Sequence, residues 1–214
     1  MNQSEGYNEI VDMLNFPHKR MLDGYREDAF DKIYDSERKY IEERIWNSFG
    51  GMHGDWMLAV YMPKLKLYDG LSKLKENLKK YTVPSDASVF VAKILFDTTK
   101  DEEYVKLLIE NAEKAGDDSL RATALNALAQ CKESEVGFQY LQETYVNDNS
   151  GRCRAVALKG LFYHFGAILN YNDVEEYQTL LEIRRKYTSD LKVHRVELLN
   201  QLLTELGELK RNKN

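Results

Sequence analysis

Four short apolar segments return along the chain at one fixed interval, and a chain built on such an interval folds as stacked copies of one small unit. The segments are Leu58-Ala59-Val60-Tyr61-Met62, Val91-Ala92-Lys93-Ile94-Leu95, Ala124-Leu125-Asn126-Ala127-Leu128 and Ala157-Leu158-Lys159-Gly160-Leu161. Aligned on Ala59, Ala92, Leu125 and Leu158, they are separated by 92−59, 125−92 and 158−125, each equal to 33. Arg121 lies four residues before Leu125, and Arg154 four before Leu158. A fifth copy, Leu199-Asn200-Gln201-Leu202, carries Arg195 four residues before Leu199, after a longer step of 199−158, or 41. The surplus of 41−33, or eight residues, fits an insertion near Gly166 to Asp173.

Between these segments each period holds a second helical pattern. Leu67, Leu71, Leu74 and Leu78 form one stripe; Tyr104, Leu107, Leu108 and Ala112 form the next; Phe138, Leu141 and Tyr145, then Tyr177, Leu180, Leu181 and Arg184, complete the series. Such spacing gives each helix one buried face. Turn residues punctuate the units: Val83-Pro84-Ser85-Asp86, Ala115-Gly116-Asp117-Asp118, Asn147-Asp148-Asn149-Ser150-Gly151 and Tyr187-Thr188-Ser189-Asp190. Each puts an Asp, Asn or Ser where a helix N-terminus needs a side-chain acceptor. The sequence has no alternating strand pattern of convincing length, so the predicted fold is all-α, antiparallel helix pairs stacked as a solenoid.

Residues 1–50 stand outside the register. Asn8 to Leu14 read as a short helix ended by Phe16-Pro17-His18, and Arg26 to Phe49 as an aromatic-rich helix burying Phe30, Ile33, Tyr34, Tyr40, Ile41, Ile45 and Trp46. The predicted division is a helical cap over 1–50 and one continuous repeat domain over 51–214, since the terminal units of a stack need a polar outer face. A chain of 214 residues is long enough to bury a sizeable core.

Thirty Lys+Arg against thirty-five Asp+Glu leave a net charge of −5, which disfavours nucleic acid as a partner because phosphate binding calls for the opposite balance. The N-terminal residues Met1 to Gly6 lack the basic start and apolar run of a signal peptide. The longest charge-free apolar stretch, Gly160 to Asn172, is too short to cross a bilayer. The expected setting is the cytoplasm, with no membrane contact. Cys131 and Cys153 lie far apart inside helical patterns and read as reduced, buried thiols, not as a disulfide or zinc framework.

The run Asp117-Asp118-Ser119-Leu120-Arg121-Ala122-Thr123-Ala124-Leu125 and its copy Asp148-Asn149-Ser150-Gly151-Arg152-Cys153-Arg154-Ala155-Val156-Ala157-Leu158 resemble the second helix of HEAT-like repeats, and Ser189-Asp190-Leu191-Lys192-Val193-His194-Arg195 follows the same logic. The resemblance spans Asp55 to Lys210, although the copies at Asp55 and Ser88 lack the Arg. It implies a right-handed α-α superhelix in which the Asp caps the second helix and the Arg pairs with a neighbouring turn. The Thr-Pro-Leu-His turn of ankyrin repeats and the Trp…Leu-Gly pattern of tetratricopeptide repeats are absent.

Chemistry is sparse. His18, His53, His164 and His194 form no His-Glu pair and no HExxH, so the metal-ligand spacing of iron-dependent HEAT-repeat hydroxylases is missing. No GxxxxGK[ST], GxGxxG or GxSxG occurs, and neither a cofactor nor a catalytic set is predicted. His53, between Gly51 and Gly54, reads as a turn residue before a capping Asp55, and His164 as a packed core residue. Trp56 beside Asp55 superficially resembles the concavity of HEAT-like alkylpurine DNA glycosylases, but Trp46 lies on a different predicted helix.

What remains is surface. The register turns one face of the second helices into a ladder: Val60 and Lys64; Phe90, Lys93 and Asp97; Thr123, Asn126 and Gln130; Val156, Lys159 and Tyr163; Glu197, Asn200 and Thr204. In solenoids these helices line the concave side, so the ladder is the first candidate protein-binding face. The second is an edge of acids, Glu102, Glu103, Glu175 and Glu176, which equally suit helix N-termini by complementing the dipole. Size, acidity, fourteen tyrosines and repeat pattern together resemble immunity proteins of toxin–immunity pairs. That resemblance implies a cytosolic, non-enzymatic protein that neutralises a basic, nuclease-type toxin domain by occlusion. The alternatives are a glycosylase and a scaffold for endogenous proteins.

Overall fold

Buried polar groups must find partners, and in the N-terminal part of the chain they decide which segments meet. The computed structural model describes residues 3–15, 27–50, 56–179, 185–188 and 191–213. The described residues are helical and irregular, with no strand among them. They fall into two compact units, Met1–Thr82 and Val83–Asn214.

The first unit contains α1 (Glu5–Asn15), a 3-10 turn at Glu27–Lys32, α2 (Asp35–Ser48), further 3-10 turns at Trp56–Val60 and Met62–Lys64, and α3 (Gly70–Leu78). Gly6 lets α1 press onto the first turn: a Cβ there would sit 2.1 Å from the Ala29 carbonyl oxygen. Ser4 gives its backbone N–H (2.9 Å) and its hydroxyl (2.5 Å) to the Glu37 carboxylate, tying α1 to α2. Glu42, fully buried on α2, accepts the backbone N–H groups of Lys66 (2.9 Å) and Leu67 (2.7 Å). Lys73 of α3 donates to the Trp46 carbonyl, and its ammonium lies 4.2 Å from the centroid of the Trp46 ring.

Residues 56–78 are thus grouped with the N-terminal elements, and the compact division falls between Thr82 and Val83. The first apolar segment, Leu58 to Met62, forms 3-10 turns instead of an α-helix, with Pro63 near the start of the second turn. Proline lacks the N–H that an α-helix interior needs. Phe30, Ile33, Ile41 and Ile45 are buried as expected, but Tyr34 and Tyr40 are exposed. Tyr34 is the non-helical residue before α2, and Tyr40 stacks on Tyr7 at 5.8 Å.

In the second unit side-chain caps open each long helix up to residue 151. Ser85 caps α4 (Asp86–Thr99), Asp101 caps α5 (Glu102–Lys114), Asp117 caps α6 (Asp118–Ala129), Ser134 caps α7 (Glu135–Asn147) and Ser150 caps α8 (Gly151–His164). Each such cap contributes about 1 kcal/mol. The caps stay close to the register: 134−101 and 150−117 are both 33, and 117−85 is 32. A short α9 (Val174–Thr179) and a long α10 (Lys192–Lys213) follow.

Consecutive helices pack on one another, and α6 lies against both α4 and α8 while α5 lies against α7. This alternation is compatible with a helical solenoid. Its core is continuous through Val91, Ala92, Leu95, Leu125, Leu128, Ala157, Leu158 and Leu161. Gly160 marks the closest approach, since a Cβ there would lie 2.7 Å from Ala129 Cβ and 2.9 Å from Leu141 Cδ1. Arg121 reaches Asp118 in its own turn (2.7 Å) and Asp148 in the next (3.2 Å). Arg154 donates to the Asp148 and Asn149 carbonyls at 3.1 and 3.0 Å.

The fifth copy departs from the pattern. Arg195 is buried and donates to the Val146 carbonyl at 2.8 Å, and α10 packs on α7. That places α10 with α5 and α7 and not in succession to α4, α6 and α8. Leu191, Val193 and Val196, at the start of α10, are exposed.

Candidate protein-binding surface

The face shared by α6 and α8 is built outward from their packed cores. Leu125 and Leu128 on α6 and Leu158 and Leu161 on α8 point inward, which leaves Asn126, Gln130, Lys159 and Tyr163 half-buried at the boundary with solvent. The connection after α8 completes this surface. Gly166, at φ +75°, turns the chain away from the helix in a conformation that favours glycine. Tyr171, 5% exposed, then folds back onto the face. Its hydroxyl donates to Asn126 Oδ1 at 2.9 Å, and its ring meets that of Tyr163 edge to face at 5.6 Å.

Two lysines lie over these rings. The Lys159 ammonium is 4.3 Å from the Tyr171 centroid, and that of Lys132 is 4.9 Å from the Tyr163 centroid. Cation–π contacts at exposed sites contribute about 0.5–1 kcal/mol. Burial pushes the Lys159 pKa below its ordinary value. Gln130 donates to the Asn126 carbonyl at 3.1 Å.

Beside Tyr163, His164 stacks on Phe138 (5.5 Å), which meets Phe165 edge to face (5.4 Å). Burial holds the imidazole pKa down to about 4, so His164 is neutral at pH 7. These three rings, with Lys132, Glu133, Ser134 and Glu135, line a notch of about 240 Å³.

The other ladder residues are placed differently. Phe90, Lys93 and Asp97 share α4, which packs on α6. Phe90 is half-buried, and Lys93 pairs with Asp97 across one helical turn. Val60 is buried, and Lys64 bonds Asp31 at 2.8 Å in the first unit. Glu197, Asn200 and Thr204 are exposed on α10, which packs on α7, so they do not extend the α4–α6–α8 rungs. The ladder is therefore one surface at Asn126, Lys159 and Tyr163, adjoined by α4, and is not continued by Asn200.

The edge acids serve several local roles. Glu102 accepts the Ser134 hydroxyl at 2.7 Å, which joins the N-termini of α5 and α7. Glu103 is exposed beside Tyr104, and Glu175 is exposed at the start of α9. The Glu176 side chain, His18, His53 and Asp55 lie outside the described positions. Cys131 and Cys153 are buried and free; burial pushes Cys131 up to about 12, and Cys153 Sγ accepts from Arg121 Nε at 3.3 Å. Among the described residues no group of His, Cys, Asp and Glu could hold a metal ion, and no helix is long and apolar enough to cross a membrane.

Tyr171 and Lys132 were missed by the ladder because neither lies on its helical stripe. Tyr171 lies within the Gly166 to Asp173 stretch read as an insertion, but the fifth copy from which that surplus was counted does not continue the α4–α6–α8 series, and spacing alone does not say where such a stretch folds. No family model matches the chain, and neither a curated protein nor a solved structure matches it.

Proposed function

We propose that this chain is a non-enzymatic, protein-binding solenoid of the HEAT-like type, a right-handed superhelix capped at its N-terminal end, with the α4–α6–α8 layer as its binding face. One observation carries the reading: half-buried Tyr163 on α8 is braced edge to face by buried Tyr171 of the following connection, with a lysine over each ring. A partly accessible tyrosine braced in this way, as Tyr163 is, offers amphipathic contact at little entropic cost, which is the property of residues that dominate interface energies. The particular form we favour is a cytosolic immunity protein that covers the active site of a cognate nuclease toxin. The net charge of −5 supports it, as do the exposed carboxylates of Glu103 and Glu175, which suit the flank of a basic toxin domain.

The full-length chain tests this by capturing partners from its native host, followed by dissociation kinetics on the captured protein. Tyr163→Ala and Phe90→Ala are expected to speed dissociation, at a cost of roughly 2 kcal/mol for a central anchor. The captured protein should kill cells when expressed alone, and co-expressed wild type should rescue them where Tyr163→Ala does not. Unchanged kinetics in both variants would remove the face from the proposal. A harmless partner would remove the immunity role and leave a scaffold.

A further inference from the structure

The basic side chains of the first unit are segregated. From Lys64 to Thr82 six lysines stand against two acids, Asp69 and Glu76, which leaves 6−2, or +4, in a chain whose total is −5. Lys66, Lys75, Lys79 and Lys80 are exposed and form no ion pair among the described residues. Leu67, next to Lys66, is 56% exposed, although its backbone N–H is fixed on the buried Glu42. Tyr68 follows and stacks on the half-buried Trp46 at 4.9 Å, and the Lys73 ammonium lies over the same indole. Burial, and then the nearby Lys80 charge, hold the Lys73 pKa below its ordinary value. Lys66, Leu67, Tyr68, Trp46, Lys73 and Lys80 thus adjoin one another in that order, an exposed aliphatic side chain and two rings among ammonium groups.

We infer that this surface rests on an anionic lipid bilayer, with Leu67 entering the interfacial layer, Trp46 and Tyr68 at headgroup level and the lysines against the lipid anions. The inference goes beyond the protein-binding reading and stands on the first unit alone. Lysines close to an acidic leaflet each add to its attraction, and mobile lipids gather wherever the ammonium groups lie. Lysine stems let the charge reach the headgroups while an apolar neighbour is buried. Trp and Tyr favour that depth because their rings are amphipathic. Lysines alone would suit any polyanion; the rings and Leu67 separate the cases. Single-stranded nucleic acid stacks its bases on open aromatic faces, whereas the Trp46 indole is already occupied by Tyr68 and Lys73. Residues 64–82 also hold no Arg, the side chain whose planar fork grips phosphate bidentately. An acidic peptide leaves Leu67 in water unless it also brings an apolar groove, and a bilayer buries it without one. Such a surface contact needs no spanning helix, so neither hydropathy nor helix length gives a sign of it.

The full-length protein is sedimented with vesicles of phosphatidylcholine alone, and of phosphatidylcholine and phosphatidylserine in equal parts. Its tryptophan emission is followed in the same titrations. It is expected to partition onto the mixed vesicles only, with a blue shift in emission, and to leave them as salt rises. Lys79→Glu with Lys80→Glu should lower the partition coefficient about tenfold or more, and Leu67→Ser about fivefold or more, both with unchanged circular dichroism. Leu67→Phe should preserve it. Oligothymidylate and oligoglutamate of equal length are titrated under the same conditions. Protein that stays in the supernatant with mixed vesicles rejects the bilayer, and an emission change with either oligomer would then assign the patch to nucleic acid or to an acidic protein. Partition that depends on the lysines but ignores Leu67→Ser would also overturn the inference, since it is attraction without insertion. Equal partition onto both kinds of vesicle would overturn it as well, because the lysines would then play no part.

Discussion

His164 shows how one half-buried side chain sets a pH limit on the fold. Its imidazole stacks on Phe138, and burial holds its pKa near 4 against an ordinary 6.5. Between those values the unfolded chain binds a proton that the folded chain refuses, so stability is complete above pH 6.5 and declines as pH falls toward 4. The loss attributable to this residue is on the order of 3 kcal/mol. Urea midpoints measured from pH 7 to pH 4 should fall less steeply in His164→Phe than in wild type; parallel curves would show that the decline comes from other groups. The sequence identified His164 as a packed residue because it lies within Phe162-Tyr163-His164-Phe165, and the packing agrees. It could not show that Tyr163, one residue earlier on the same helix, would meet Tyr171. That contact is made by a loop, and loops carry no period.

Helices α4 and α5 are joined by one buried amide. Asn111, with no exposed surface, accepts the Ser85 N–H at 3.1 Å and donates to the Ser88 hydroxyl (3.0 Å) and the Leu107 carbonyl (2.8 Å). It thus secures the capping turn of α4 from the flank of α5. Asn111→Leu should lower unfolding free energy by roughly 2 kcal/mol or more, since Ser85 and Ser88 would lose their partner inside the protein. The variant's chemical denaturation curve checks this; a loss under about 0.5 kcal/mol would mean that water replaces the amide at no cost. The interval of 33 located α5 through α8 and their caps because side-chain acceptors and apolar stripes are local signals. It mistook the segment at Leu58, where Pro63 interrupts, and the fifth copy, where Arg195 and Leu202 are buried on a helix that lies against α7. Apolar residues and an Arg four apart specify a helix with one buried face; they do not specify which neighbour that face will find.

Two compact units within one chain mean that a single stability value averages over two cores. Glu42 belongs to the first, where its buried carboxylate accepts the backbone N–H groups of Lys66 and Leu67. Glu42→Gln replaces a charge-assisted acceptor there and should cost roughly 1–3 kcal/mol, felt by that unit. Asn111→Leu acts in the second unit. The variants should therefore lower different transitions when fluorescence and circular dichroism are followed together, and coincident shifts by both probes would show that the units unfold as one. The probes differ because of where the tryptophans fall. Trp46 and Trp56, the two in the chain, both lie in Met1–Thr82, and Trp46 is stacked on Tyr68 at 4.9 Å. Their emission is a report on the N-terminal core, whereas the ellipticity comes largely from the helices beyond it. An assay that relied on emission alone would be colour-blind to the half of the protein that carries the Tyr163 surface, and a tryptophan placed at Phe138 would give that half a signal of its own.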